Sequence, residues 1–260
     1  MSSRWPGKTV IGLTGNIATG KSVVRRMLEH RGAFGIDADG LAHRAMSPGA
    51  PAYQPIIDYF GRRIVAPDGQ IDRKKLAATV FNDPQELAVL ERITHPIVVG
   101  VLDLLIRRAK QSVVVIEAIK LIESGIADEC DSVWVTTAPE VMQISRLMQK
   151  RKLSEVEARR RVQAQPPQEQ KIARAEVVIE NAAGYEEIWD QVQGQWDALF
   201  GIEPAPSPVE RVEPPSAVLE APIPQEAEIA IVRGGPRDAE TIADFIQRVC
   251  GVALSRADVI

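Results

Sequence analysis

The chain has 260 residues, 45% hydrophobic, 25% charged and 5% aromatic, with 31 basic against 35 acidic side chains and a net charge of −4. This is the composition of a globular protein with one large domain, or one and a half, and enough chain to bury a core. It excludes a disulfide-stapled miniprotein and argues against bulk nucleic-acid binding, leaving open only a local basic patch.

Cys130 and Cys250 lie far apart without metal-ligand spacing, which suits a reducing, cytoplasmic setting. No run approaches the roughly 18 uninterrupted apolar residues of a membrane span. The opening MSSRWPGK leads into a strand pattern with no signal-peptide apolar region.

Thr9 to Thr14 (TVIGLT) reads as a strand, followed by a glycine-bounded loop and a helix from Lys21 to Arg31. Apolar runs recur at Ala33–Ile36, Ser112–Ile116, Ser132–Thr136 and Glu176–Glu180, mostly separated by segments of helical spacing. The alternation predicts an α/β fold with a five-stranded parallel sheet covered on both faces. Residues 41–110 form a long insertion in which PAYQPIIDYF, DRKKLAATVF, PQELAVLERI and HPIVVGVLDLLI have helical spacing, as in a helical subdomain carrying substrate contacts. His95 precedes a proline, which biases its backbone to extended geometry at a helix boundary, its side chain toward a cleft.

From Arg146 to Arg174 nine basic residues face three acidic ones, opposite in sign to the whole chain. Ser154 with Glu157 matches a capping box that opens a helix, and Gln165-Pro166-Pro167 closes it. The plain reading is a solvated helix pair; beside a phosphate loop, a basic hairpin is also what a closing lid requires. Seven prolines between Pro204 and Pro224 mark an extended linker, 203–226, before a strand-and-helix pattern over 227–260.

The chemistry concentrates at Gly15-Asn16-Ile17-Ala18-Thr19-Gly20-Lys21-Ser22, which fits G-x-x-x-x-G-K-[ST] at every fixed position and lies between a strand and a helix. Its glycines let backbone amides curl inward as a nest for polyphosphate at the positive helix end, joined by the next residue, Val23. Lys21 would reach the β- and γ-phosphates of ATP, and the Ser22 hydroxyl would ligate Mg2+. Ile36-Asp37-Ala38-Asp39 then places two carboxylates at a strand's carboxyl end, where α/β sheets bind ligands. Asp39 is a candidate to orient an acceptor hydroxyl and take its proton, but either aspartate would serve equally as a helix N-cap. Glu117, after the third strand, would hold Mg2+ through water as a Walker B carboxylate does, or stand as a surface loop acid.

Over residues 8 to 200 the chain resembles the dephospho-CoA kinase family. IGLTGNIATGKS is similar to the family's opening IGLTGGIGSGKS, and IDADGLAHR, IDRKKLAATVF, ERITHP, LIESG, SRLMQKRKLSEVEARRRVQAQ and AEVVIEN follow in the family's order. The resemblance implies a P-loop kinase domain over 1–202, with the helical substrate insertion at 41–110 and a basic helical lid at 146–174. It implies ATP-dependent phosphorylation of the 3′-hydroxyl of dephospho-CoA. Carried over by position, Asp39 becomes the acceptor base, Lys21 and Arg146 bind the phosphates, and Thr14, Arg73 and His95 fall on the substrate side. Two departures stand out: Glu117-Ala118-Ile119-Lys120-Leu121 replaces a common proline-leucine-leucine segment, and Asn16 and Ala18 replace common loop glycines. AIVRGGPRDAETIADFIQRVCG resembles the first strand and helix of a GNAT-type acetyltransferase without its pyrophosphate loop, which implies an appendage without acetyltransferase activity. The rival functions are another small-metabolite or nucleoside kinase on the same scaffold, and a nucleotide-gated binding module.

Overall fold

The computed structural model describes residues 4–80 and 83–201. The proline-rich linker, the GNAT-like appendage and Cys250 lie outside the described residues. In chain order the elements are β1 (Thr9–Thr14), α1 (Lys21–His30), β2 (Phe34–Asp37), α2 (Ala38–Ala45), α3 (Tyr53–Phe60), α4 (Arg73–Val80), α5 (Pro84–Arg108), β3 (Val113–Glu117), β4 (Ser132–Thr137), α6 (Glu140–Arg151), α7 (Glu155–Gln163), α8 (Gln168–Ile172), β5 (Val177–Glu180) and α9 (Tyr185–Phe200).

The five strands form one parallel sheet in the order β2-β3-β1-β4-β5, with Gly12 of β1 in register with Ile116 on one side and Val133 on the other. Alternating residues feed two separate cores, as the two-residue period of a strand requires. Val10, Val114, Ile116, Val133 and Val135 face the insertion helices. Ile11, Leu13, Val115, Trp134 and Ile179 face α1 and α9, where Val24, Leu28, Ile188, Val192 and Trp196 cover them. Burying each such side chain is worth about 1.5–3 kcal/mol, so β1 and β3, closed on both faces, are the rigid floor of the molecule. The chain leaves β1 between β3 and β4, and that crevice is where an open α/β sheet presents its ligand site.

Within the insertion, the segments expected as separate helices around His95 are one helix: α5 runs 25 residues straight through Pro96. The extended boundary predicted for His95 is therefore wrong. An interior proline costs about 3 kcal/mol, but the far half of α5 buries Val98, Val101, Leu102, Leu105 and Ile106 against the core, which outweighs it. At the near end Asp83 caps α5, accepting from the Gln85 N–H at 2.8 Å, with Pro84 in the first turn.

Candidate active site

The phosphate loop is shaped by close approaches that only glycine allows. Gly20 has φ 103°, and a β-carbon there would lie 2.0 Å from the Asn181 amide nitrogen; at Gly15, φ 146°, it would meet the Thr136 carbonyl at 2.4 Å. Ala18, by contrast, sits in the left-handed region at φ 60° with a side chain in place. That strain, about 1–2 kcal/mol, turns the Ala18 carbonyl toward Arg146, which donates to it at 3.1 Å. Thr19 is fully buried and braces the loop, its hydroxyl bonded to the Asn16 carbonyl at 2.8 Å and to Thr136 Oγ1 at 2.7 Å. Gly20 caps α1 without a side-chain acceptor, leaving the Lys21 and Ser22 amides for a ligand, whereas the Val23 N–H expected in the nest already donates to the Gly20 carbonyl at 2.9 Å.

Over this loop opens a cleft of about 710 Å³ whose walls include Lys21, Ser22, Val23, Asp39, Glu117 and Arg146. Lys21 is buried and donates to the carbonyls of Gly15 at 3.0 Å and Asn16 at 3.1 Å. Burial pulls its ammonium down to about 8, only partly opposed by the carboxylates of Glu117 and Asp39. Ser22 Oγ donates to Glu117 Oε1 at 2.8 Å, while Arg25 holds the other carboxylate oxygen at 2.8 Å. Glu117 is thus a buried, oriented carboxylate at the mouth of the loop, not a surface loop acid.

The choice between the two aspartates after β2 is made by backbone geometry. Asp37 caps α2, accepting from the Gly40 N–H at 2.8 Å. Asp39 lies within the first turn and turns into the cleft, where its Oδ2 accepts from the Ile119 N–H at 3.1 Å. Burial pushes the Asp39 carboxyl above the usual aspartate range, against the lowering effects of the Ile119 hydrogen bond and of Lys21. On its other side lies a second cavity of about 560 Å³, bounded by Leu87, Arg92 and His95 of α5 and by Lys120 and Glu123. Asp39 is common to the walls of both cavities.

Arg146 on α6 is aimed by Asn181, whose Oδ1 accepts from the guanidinium at 2.6 Å while its amide donates to the Thr19 carbonyl at 2.9 Å. One buried asparagine after β5 therefore clamps the loop and the arginine together; in the sequence it stands only as the last residue of AEVVIEN, with no pattern that assigns it a task. The basic segment divides in two. Lys150 and Arg151 at the end of α6 line the cleft beside Arg146. On α7, Arg159 pairs with Glu155 at 2.9 Å and Arg161 with Glu157 at 2.6 Å, the exposed i,i+4 pairs of a solvated helix. Ser154 caps α7, accepting from the Glu157 N–H at 3.3 Å. The Gln165-Pro166 turn that follows reaches the phosphate loop: Gln165 Oε1 accepts from the Ile17 N–H, and the Pro166 carbonyl from the Asn16 amide, each at 2.8 Å.

The remaining substrate-side candidates are scattered. Thr14 is fully buried behind the wall, donating to the Ile119 carbonyl at 3.1 Å. His95 faces the second cavity. Arg73 is exposed at the start of α4 and borders neither cavity, although after burial it is the next influence holding the His43 imidazole below its ordinary value.

A parallel sheet, a phosphate loop leading into α1, and a cationic cleft that meets a second cavity at one carboxylate define a P-loop phosphotransferase. The dephospho-CoA kinase family model matches residues 9–187. A dephospho-CoA kinase of Geobacter sulfurreducens is 43% identical over 194 residues, which is 74% of this chain and 98% of that protein. One from Streptomyces avermitilis is 40% identical over 190 residues, 73% of this chain and 93% of that protein. Among solved structures, a Thermus thermophilus protein superposes with a TM-score of 0.67 at 32% identity, covering 74% of this chain and 97% of that one. A dephospho-CoA kinase from Campylobacter jejuni gives 0.54 at 27% identity, covering 75% and 98%. The chain belongs to the dephospho-CoA kinase family.

Proposed function

We propose that the chain transfers the γ-phosphoryl group of ATP to the 3′-hydroxyl of dephospho-CoA, giving coenzyme A and ADP, the last step of coenzyme A synthesis. The observation that carries the mechanism is the position of Asp39, in the wall shared by the phosphate cleft and the second cavity. A hydroxyl presented from the second cavity meets the phosphoryl donor beside that carboxylate.

Phosphoryl transfer asks for positioning and charge stabilisation more than for covalent chemistry. The loop amides and Lys21 hold the β- and γ-phosphates, and Arg146, fixed in direction by Asn181, neutralises charge on the group in flight. Asp39 orients the acceptor hydroxyl and takes its proton; its burial makes it a stronger base than an ordinary aspartate. The 146–174 segment, already in contact with the loop through Gln165 and Pro166, covers the cleft and excludes water.

Ser22 and Glu117 form a hydroxyl–carboxylate pair of hard oxygen donors, the ligand chemistry that suits Mg2+. Ser22 and Glu117 would hold such an ion on the protein side, Glu117 directly or through water, with the nucleotide's phosphates supplying the remaining oxygens. When bound there, the ion neutralises phosphate charge and orients the chain. Among the described residues no helix is long and apolar enough to cross a membrane. We place the protein in the cytoplasm, a reading supported by Cys130, a free cysteine of the kind a reducing compartment keeps unpaired.

The test is Asp39→Asn. Turnover of ATP with dephospho-CoA is expected to fall about 10²–10⁴-fold, with ATP affinity within about twofold of the parent. Unchanged turnover would remove Asp39 from the chemistry.

A further inference from the structure

Lys171 is 4% exposed, on α8, and nothing in the transfer step uses it. Burying an ammonium is expensive unless its protons are satisfied, and an apolar side chain would pack there at less cost. Its partners suggest what the charge is for. Nζ donates to the Ile119 carbonyl at 2.7 Å and to Glu123 Oε1 at 2.8 Å. The Ile119 carbonyl also accepts from Thr14, and the N–H of the same residue donates to Asp39. Ile119 is therefore gripped through its carbonyl by a buried cation and a buried hydroxyl, with its N–H left pointing at the carboxylate in the shared wall.

The other end of this connection is equally anchored. Gln168 at the start of α8 exchanges two hydrogen bonds with the backbone of Ala138, beyond β4, at 3.3 and 3.2 Å. Just before it, Gln165 and Pro166 clasp Ile17 and Asn16 of the phosphate loop. Seven consecutive residues, 165–171, thus touch the nucleotide loop at one end and the backbone that holds Asp39 at the other.

We propose that Lys171 is a positioning residue that acts through Ile119 to aim the Asp39 carboxylate, so that the lid segment couples the phosphate loop to the acceptor side. This rests on Asp39 being the acceptor-side carboxylate. A hydrogen-bonded carboxylate held in one direction accepts a proton along a defined path, whereas a freely rotating one loses part of the benefit of orientation. The coupling predicts a loss in kcat without a matching loss in nucleotide binding.

The experiment is a double-mutant cycle on the full chain, reading coenzyme A formation by mass spectrometry and ATP binding by calorimetry. Lys171→Met, which keeps the apolar stem, should lower kcat about tenfold with the KM for ATP within about twofold, and Lys171→Arg should restore most of it. In the Asp39→Asn background the same Lys171→Met change should cost less than about twofold. A full tenfold loss persisting in that background, or a KM for ATP that rises in step with the fall in kcat, would overturn the positioning role. Asp39→Asn alone at parental turnover would show that the reading of Asp39 has failed, a distinct result. Should Lys171→Met not fold, Lys171→Gln, which removes the charge and shortens the reach to the Ile119 carbonyl while leaving the 118–119 backbone untouched, enters the same cycle with the same expected and overturning results.

Discussion

The buried ammonium of Lys21 should make the stability of the free protein depend on pH in a way that one substitution removes. Its fall from the ordinary 10.5 to about 8 corresponds, at about 1.4 kcal/mol per pH unit, to about 3 kcal/mol of resistance to carrying the charge in the folded state. Below pH 8 the group is charged in both folded and unfolded chains, and the penalty is fully present. Between about 8 and 10.5 the unfolded chain binds the extra proton, so folding stability rises with pH and the penalty disappears. Lys21→Met removes the titration. It also leaves the Gly15 and Asn16 carbonyls without their donor, a cost that does not vary with pH. The informative quantity is therefore the change in the difference between parent and variant, in which all other lysines cancel. Urea unfolding should show the parent gaining about 2–3 kcal/mol on Lys21→Met between pH 7 and pH 10.5. A constant difference across that range would refute the burial argument. ATP binding to the free enzyme should weaken above pH 8 for the same reason, since the phosphates meet a neutral amine.

Two further outcomes follow from the packing. Asn181→Ala should lower kcat about tenfold to a hundredfold, the worth of a charge-assisted hydrogen bond of about 1.5–3 kcal/mol, while Asn181→Asp, which keeps an acceptor for Arg146, should keep more turnover but loosen the loop at Thr19; steady-state kinetics of the pair reads this, and equal losses would contradict it. Pro96→Ala should stabilise the fold by about 1–3 kcal/mol in urea melts, because the Arg92 carbonyl regains its helical partner, with kinetics unchanged; destabilisation would mean that α5 depends on its proline.

The parts of this molecule that are legible in its amino-acid sequence are those in which local pattern and global fold agree. Buried parallel strands must be continuously apolar, so TVIGLT, SVVVI and SVWVT announce β1, β3 and β4 to within a residue or two. The phosphate loop is legible because its geometry demands glycines at set positions. Asp37 and Asp39 cannot be separated by pattern: a cap residue and a cleft residue are here both aspartates near a helix start, and only the direction of the Gly40 N–H tells them apart. His95 misleads because the local preference imposed by its proline is overridden by packing that acts on the far half of α5. Asn181 carries no pattern of its own, Gln165 shows only as part of a helix-closing Gln-Pro-Pro run, and Lys171 only as one charge in a basic segment. Their meaning lies in partners 162, 148 and 52 residues away, contacts that exist only once the sheet has brought the loops together.

The most direct measurement incubates the purified full chain with ATP and Mg2+, with and without dephospho-CoA, following ADP release and analysing products by mass spectrometry. Dephospho-CoA-dependent ADP release with stoichiometric coenzyme A is the predicted result. ATP turnover without coenzyme A would be transfer to water and would contradict dephospho-CoA as the acceptor, and bound ATP without turnover in the presence of dephospho-CoA would contradict phosphoryl transfer altogether.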